Sequence, residues 1–262
     1  MTNSSEPAYP HKLRRLYWPF LALAEACHDV LGTVAGAFEW GSQHYTIPRF
    51  SFFGPMTEAR RIRVGFFALL QGNAPAGTLA LQRLLNLLVD NPVIARGYEL
   101  VFYPVCNPTG FEDDTRCNRA GRELNREFWR GSSEPEVKIL ESELQQQRFD
   151  GIVALNADET GQGLHGHAIG GKPNEQLLAL ALRASAGVLP LDLAGIIEGF
   201  SVSGEKPPGE LSPPPGQNPP PFEIVFETPA RAPLALQVEA ACQALCSVLD
   251  EGRAFISNGG ES

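Results

Sequence analysis

Apolar and polar positions follow several periods along this chain, and the periods lay out its elements. Residues 1–11 are polar and are expected to form a disordered tail. Leu13 to Leu31 predicts a first helix, with Pro19 as its weak point. Ala37 to Trp40 and Pro48 to Phe53 read as short strands, the second rich in aromatic residues. Arg63 to Leu70 is an almost unbroken apolar run, the pattern of a central strand buried on both faces. Gln71-Gly-Asn-Ala-Pro-Ala-Gly77 then turns the chain into a helix, where Leu81, Leu84, Leu85 and Leu88 fall on one face. Asn91-Pro92 ends that helix, and Tyr98 to Val105 predicts the next strand. Such a strand–helix–strand unit implies a crossover onto a largely parallel sheet.

Further along, Ser133-Glu-Pro-Glu136 reads as a capping box with proline in the first helical turn, opening a helix with Val137, Leu140 and Leu144 on one face. Gly151 to Leu155 predicts a short strand, Gly163 to Ile169 an extended piece and Glu175 to Gly187 a helix. Ala194 to Phe200 and Phe222 to Phe226 read as strands, and Pro233 to Leu249 as a closing amphipathic helix. Three proline clusters within 206–221 keep that segment out of a sheet interior and give it polyproline character. The expected fold is one α/β domain over 12–252, with a mixed, mostly parallel sheet and helices on both faces. A second tail is expected at 253–262.

Composition narrows the function. The formal net charge of −9 argues against nucleic acid or an anionic membrane as the main partner, since either favours a basic face. Five cysteines without a C-x-x-C pair argue against a disulfide framework or a structural zinc site and fit a reducing compartment. The basic-then-apolar run Lys12 to Cys27 carries a faint signal-peptide pattern, but Pro19 and Glu25 interrupt it and it is too short to span a bilayer. The reading is a cytoplasmic protein.

The chemistry concentrates at predicted strand ends, where open α/β sheets bind ligands. Val105 to Trp129 leaves a strand through Asn107-Pro-Thr-Gly110 and then carries Arg116, Arg119, Arg122 and Arg126. Guanidinium groups in such a loop suit fork-shaped recognition of a carboxylate or phosphate. The competing reading is a solvated loop whose arginines pair with Glu112, Asp113, Asp114 and Glu123. Three other strand ends deliver Gln71 to Gly77, Asn156 to Thr160 and Glu227-Thr-Pro229.

In order and spacing these segments resemble the zinc carboxypeptidase superfamily, the carboxypeptidase A-like metallopeptidases, whose relatives include the succinylglutamate desuccinylase and aspartoacylase group. The family's arginine segment stands here as Asn107-Pro-Thr-Gly-Phe111, Thr115-Arg116 and Glu123-Leu-Asn-Arg-Glu-Phe128. Its first metal-binding segment stands as Gln71-Gly-Asn-Ala-Pro-Ala-Gly77, its third ligand position as Leu155-Asn156, and its glutamate strand as Phe226-Glu-Thr-Pro229. The resemblance implies catalysis by Glu227 and binding of the substrate carboxylate by Arg116, Asn125 and Arg126. It also places Gln71, Ala74 and Asn156 where the family holds zinc. Alanine offers no donor and neutral amides are weak ligands for zinc, so no cofactor is expected at those positions.

Three readings follow. The first is a pseudoenzyme of this family that has lost zinc but keeps an arginine cleft for a small carboxylate or a peptide C-terminus. The second is an active hydrolase of C-terminal peptide or acyl-amino-acid amide bonds with an atypical metal site. The third is an interaction protein that binds a partner through the proline-rich loop, which is equally placed to act as a lid. His165 and His167 alternate, so on a strand they share a face. His165 is counted among the substrate-binding residues, and with Asp158 or Glu159 the two histidines are also candidates for a displaced metal site. The commoner fate of such histidines is hydrogen bonding within a cleft.

Overall fold

Alternation along the strand predicted from the apolar run explains how the molecule is layered. A computed structural model describes residues 11–57, 60–192, 196–197, 200–201 and 208–258. Its elements begin with α1 (His11–Ala26), β1 (Val30–Trp40), β2 (Gln43–Phe53), β3 (Ile62–Ala68), α2 (Ala76–Asp90) and β4 (Tyr98–Tyr103). They continue with α3 (Pro108–Asp113), α4 (Pro135–Gln147), β5 (Gly151–Asp158), β6 (His165–Ile169) and α5 (Lys172–Ser185). The two-residue strands β7 (Ile196–Ile197) and β8 (Phe200–Ser201) pair with each other, and β9 (Phe222–Pro229) and α6 (Leu234–Asn258) close the chain.

On β3, Val64, Phe66 and Ala68 face one way, into a core shared with Leu81, Leu84, Leu85 and Leu88 of α2 and with α5 and α6. Phe67 faces the other way, against Val101, Tyr103, Phe149 and the α4 residues Val137, Leu140 and Leu144. Helices therefore cover both faces, as the two-sided apolar run requires. Each buried leucine of α2 contributes roughly 1.5–3 kcal/mol of transfer free energy, so packing rather than intrinsic propensity holds that helix.

The main sheet has seven strands in the order β1-β2-β4-β3-β5-β9-β6. Its central strands β4, β3, β5 and β9 are parallel, whereas β1–β2, β2–β4 and β6–β9 pair antiparallel. The chain leaves β3 through α2 to β4 on one side and later returns to β5 on the other. The strand order thus reverses at β3, and the carboxyl ends of β3 and β5 flank the switch point where such sheets bind ligands.

Several expectations need correction. The two short strands are a long hairpin, missed because β1 is an edge strand with mostly half-exposed side chains and gives little alternation signal. The first helix stops at Ala26, where β1 soon takes over. The capping box does not form: Glu134 is the cap residue without a side-chain cap bond, and the Ser133 hydroxyl donates to Glu134. Glu136 turns inward, accepting hydrogen bonds from Thr109 and Asn118, and burial holds its carboxyl above the usual range. The closing helix runs on to Asn258, through much of the expected second tail. Residues 1–10 and 259–262 of the two expected tails, and most of the strand expected at 194–200, lie outside the described residues. Among the described residues no helix is long and apolar enough to cross a membrane.

Candidate functional site

The carboxyl ends of β3 and β4 are bound together by backbone rather than by long side chains. After β3, Leu69 adopts a positive φ of 58° and bends the chain toward Gln71. The Asn107 amide donates to Leu70 O while its carbonyl accepts from Gly110 N, fastening the start of α3 to the end of β3. Gly72 N donates to Arg116 O at 3.3 Å. A β-carbon at Gly72 would stand 2.2 Å from the carbonyl carbon of Gly110, so only glycine permits this approach. The arginine loop is thereby set directly over the switch point.

The four arginines have different fates. Arg119 is enclosed by Glu112, Asp113, Tyr45 and Gln43, so for it the structural reading holds. Arg122 is exposed. Arg116 and Arg126 converge on one carboxylate, Glu123, a partner the solvated reading also named, with Nε–O distances of 3.5 and 2.8 Å. Their side chains are 38% and 73% exposed, so both guanidinium groups remain open to solvent and to a second anion. The Asn125 carbonyl accepts from Leu211 N at 3.5 Å.

That last bond belongs to a strap. Within the proline-rich segment, Gly209 O accepts from Phe128 N, Ser212 O accepts from the Trp129 indole, and Leu211 is buried beside Leu124 and Phe128. Glu210 meets His167 Nε2 at 2.8 Å. Residues 209–212 thus tie β6 to the segment that carries Asn125 and Arg126. Neither Glu123 nor Glu210 was singled out as a site residue from the sequence, because each meets its partners only through this tertiary packing.

On the other side of the switch point, β5, β9 and β6 lie side by side. Asn156 is in register with Glu227, and Glu227 with His165. Register partners share a face, and Asp158 shares the face of Asn156 two residues away. His165 Nε2 lies 3.3 Å from Asp158 Oδ2 and 3.6 Å from Glu227 Oε2. Its Nδ1 is 3.2 Å from Gly163 O, which calls for a proton on Nδ1. Burial raises the Glu227 carboxyl above its ordinary range against the pull of His165 and His167. At Asp158 burial is outweighed by hydrogen bonds from Thr160 and by His165, which hold the carboxyl low. His165 therefore finds its partners in these carboxylates and in Gly163, not in the arginine loop. Glu227 is paired with an imidazole.

No family model matches the chain. Over 118 aligned residues it is 32% identical to carboxypeptidase D of Rattus norvegicus, a segment that is 38% of this chain and 9% of that protein. The human carboxypeptidase D is 31% identical over the same length. A provisionally named metallopeptidase from Shewanella denitrificans OS217 superposes with a TM-score of 0.73 at 18% identity, covering 91% of this chain and 90% of that one. A Pseudomonas aeruginosa metallo-carboxypeptidase in complex with (2-guanidinoethylmercapto)succinic acid gives 0.71 at 17% identity, covering 92% and 69%. Carboxypeptidase A from Helicoverpa armigera gives 0.67 at 17% identity, covering 99% and 78%. The chain has the metallocarboxypeptidase fold.

The sequence resemblance puts Gln71, Ala74 and Asn156 where that family binds zinc, and the donors they offer can be read directly. Gln71 is buried, and in the orientation that satisfies its neighbours its amide donates to Ala157 O at 2.8 Å and accepts from Arg116 at 3.2 Å. Ala74 has no donor atom beyond its backbone, and its N–H donates to Gln71 O. Asn156 offers a neutral amide oxygen. Two neutral amides and an alanine do not by themselves make a zinc site. A cavity of about 270 Å³ opens beside Gln71 and Ala74, also lined by Asn73, Pro75, Ala157 and Glu159.

Proposed function

We propose that this chain is a carboxylate-binding protein of the metallocarboxypeptidase fold that does not carry out the family's zinc hydrolysis. The observation that carries the reading is Gln71. Its amide is committed to Ala157 and to Arg116, so the place of a first metal ligand is held by a hydrogen bond that steadies a substrate-binding arginine. Arg116 and Arg126 already share a carboxylate in Glu123, which supports their use as a fork for an incoming one. Asn125 stands between the fork and the strap. A small acyl-amino acid or the C-terminus of a peptide has the required anion. The succinic acid compound held by the Pseudomonas aeruginosa relative is a carboxylate as well, in keeping with this chemistry.

Glu227 and His165 lie on the far side of the cleft from the arginine loop in strand order, and without a metal Glu227 has no acidified water to deprotonate. The Asp158–His165–Glu227 cluster favours a second reading, a hydrolase working with an atypical metal arrangement. The proline-rich segment is read as a strap that closes over the fork rather than as a separate partner-binding loop.

Isothermal titration with N-acetyl-phenylalanine tests the first reading. Arg116→Ala is expected to weaken binding about tenfold, the value of one charge-assisted hydrogen bond at a partly exposed site, and Arg126→Ala somewhat less because it is more exposed. Arg122→Ala should leave affinity unchanged. Turnover of acyl-amino-acid or C-terminal peptide substrates, abolished by Glu227→Gln, would establish the second reading instead.

A further inference from the structure

We propose that Asp158, His165 and Glu227, joined by the side-chain oxygen of Asn156, form a divalent-cation site on the β5–β9–β6 strand ends, in which neither Gln71 nor Ala74 takes part. The site takes a divalent cation that accepts oxygen donors beside one imidazole, such as zinc or manganese.

Geometry comes first. One ligand atom from each of Asp158, His165 and Glu227 lies within 4.8 Å of the others. Donors on a tetrahedron with bonds of about 2.0–2.1 Å are separated by about 3.3–3.4 Å. Of the two distances from His165 Nε2, 3.3 Å to Asp158 equals that edge and 3.6 Å to Glu227 exceeds it by a few tenths of an ångström, within reach of a small side-chain adjustment. The ring is also oriented: Nδ1 is held by Gly163 O, so Nε2 is the nitrogen turned toward the two carboxylates and free to bind a cation. Metal-binding histidines are typically fixed in this way.

A second observation is independent of the cluster. Asn156 is only 8% exposed, and its Oδ1 is buried without a hydrogen-bond partner. Buried polar atoms are seldom left unmet, because an orphan costs about 1–3 kcal/mol. Asn156 sits in register with Glu227 and on the same face as Asp158, which puts its side chain on the face that carries the cluster. A cation there gives the orphan a partner.

Charge points the same way. Two carboxyl groups crowd one imidazole among side chains that are 20–28% exposed. A divalent cation pairs with both carboxylates at once, and half-buried charge is stabilised chiefly by such pairing. One nitrogen with otherwise oxygen donors suits manganese or zinc better than a soft ion. The site also recruits Glu227 as a ligand. It does not rest on carboxylate binding by the arginine fork, and either proposal stands if the other fails.

The test uses the full chain after chelator treatment, titrated with zinc chloride and manganese chloride separately. One equivalent of at least one cation is expected. Partners that merely support a metal ligand are worth about 10–100-fold in affinity, so His165→Ala and Asp158→Asn should each weaken binding by at least about 100-fold. Gln71→Ala should bind as the unaltered chain does. Thermal melting of each variant separates loss of a ligand from loss of the fold, and His165→Gln supplies a variant of similar size. X-ray absorption at the zinc edge should show one imidazole among oxygen donors. The proposal is overturned if neither ion binds, if binding survives in both His165→Ala and Asp158→Asn, or if Gln71→Ala abolishes it.

Discussion

A chain carrying Gln71→His, Ala74→Glu and Asn156→His is expected to retain stoichiometric zinc through gel filtration, in a His165→Ala background so that only the restored centre is counted. The scaffold supports this result. β3 and β5 are parallel neighbours with Ala68 opposite Leu155, so residues 71 and 156 emerge side by side at the switch point. Ala74 is tied back to Gln71 by a backbone hydrogen bond within one turn. Structural zinc is worth roughly 10–16 kcal/mol in small peptides at neutral pH. Even a gain of about 6 kcal/mol corresponds to an affinity change on the order of 10⁴-fold. Any single replacement should gain far less, since two ligand positions stay empty of strong donors. Absence of zinc in the triple variant would show that these are not the matching positions.

The second large effect is expected at Gly72. A methyl group there meets the backbone of Gly110 at 2.2 Å and of Phe111 at 2.5 Å, neither of which can swing aside as a flexible side chain does. Gly72→Ala must push the start of α3 away from the end of β3. Overpacking of this kind costs about 1–3 kcal/mol and occasionally more, and a backbone clash belongs at the upper end. At about 2–4 °C per kcal/mol for a domain of this size, the melting temperature should fall by roughly 6–12 °C. The Gly72 N–H bond to Arg116 O is strained in the same movement, so N-acetyl-phenylalanine binding should weaken too. Gly187→Ala is the control: its methyl group meets nothing within 4 Å, and the change should stay within about 0.5 kcal/mol. Equal melting temperatures for the two variants would mean that the loop is not braced through Gly72.

Much of this was legible from residue types. The run Arg63 to Leu70 announced β3 because burial on both faces leaves no polar alternation, and the leucine face of α2 named the helix that crosses over it. The order of segments at the strand ends pointed to the fold. What stayed hidden depended on pairing between distant segments. β6 adds antiparallel to β9, which sets His165 opposite Glu227 although 62 residues separate them. The sequence offered His165 and His167 with Asp158 or Glu159 as an alternative; the register brings Asp158 and Glu227 to His165, while His167 pairs with Glu210. The capping box failed for a related reason: the arginine loop packs against α4, so Glu136 satisfies Thr109 and Asn118 instead of its own helix end. The solvated reading of the arginines named the carboxylates they meet, Glu112 and Asp113 for Arg119 and Glu123 for Arg116 and Arg126, and ligand binding by the last two is what we propose beyond it.

The central claim is carboxylate recognition that needs no zinc at the family's positions. Its most direct measurement is a pair of calorimetric titrations on chelator-treated protein, one with N-acetyl-phenylalanine and one with its carboxamide, each repeated after adding zinc. The account predicts that the acid binds with the same affinity with or without zinc, that the uncharged amide binds at least about tenfold more weakly, and that neither is cleaved. Equal affinity for acid and amide, or acid binding and hydrolysis that appear only once zinc is added, would contradict it.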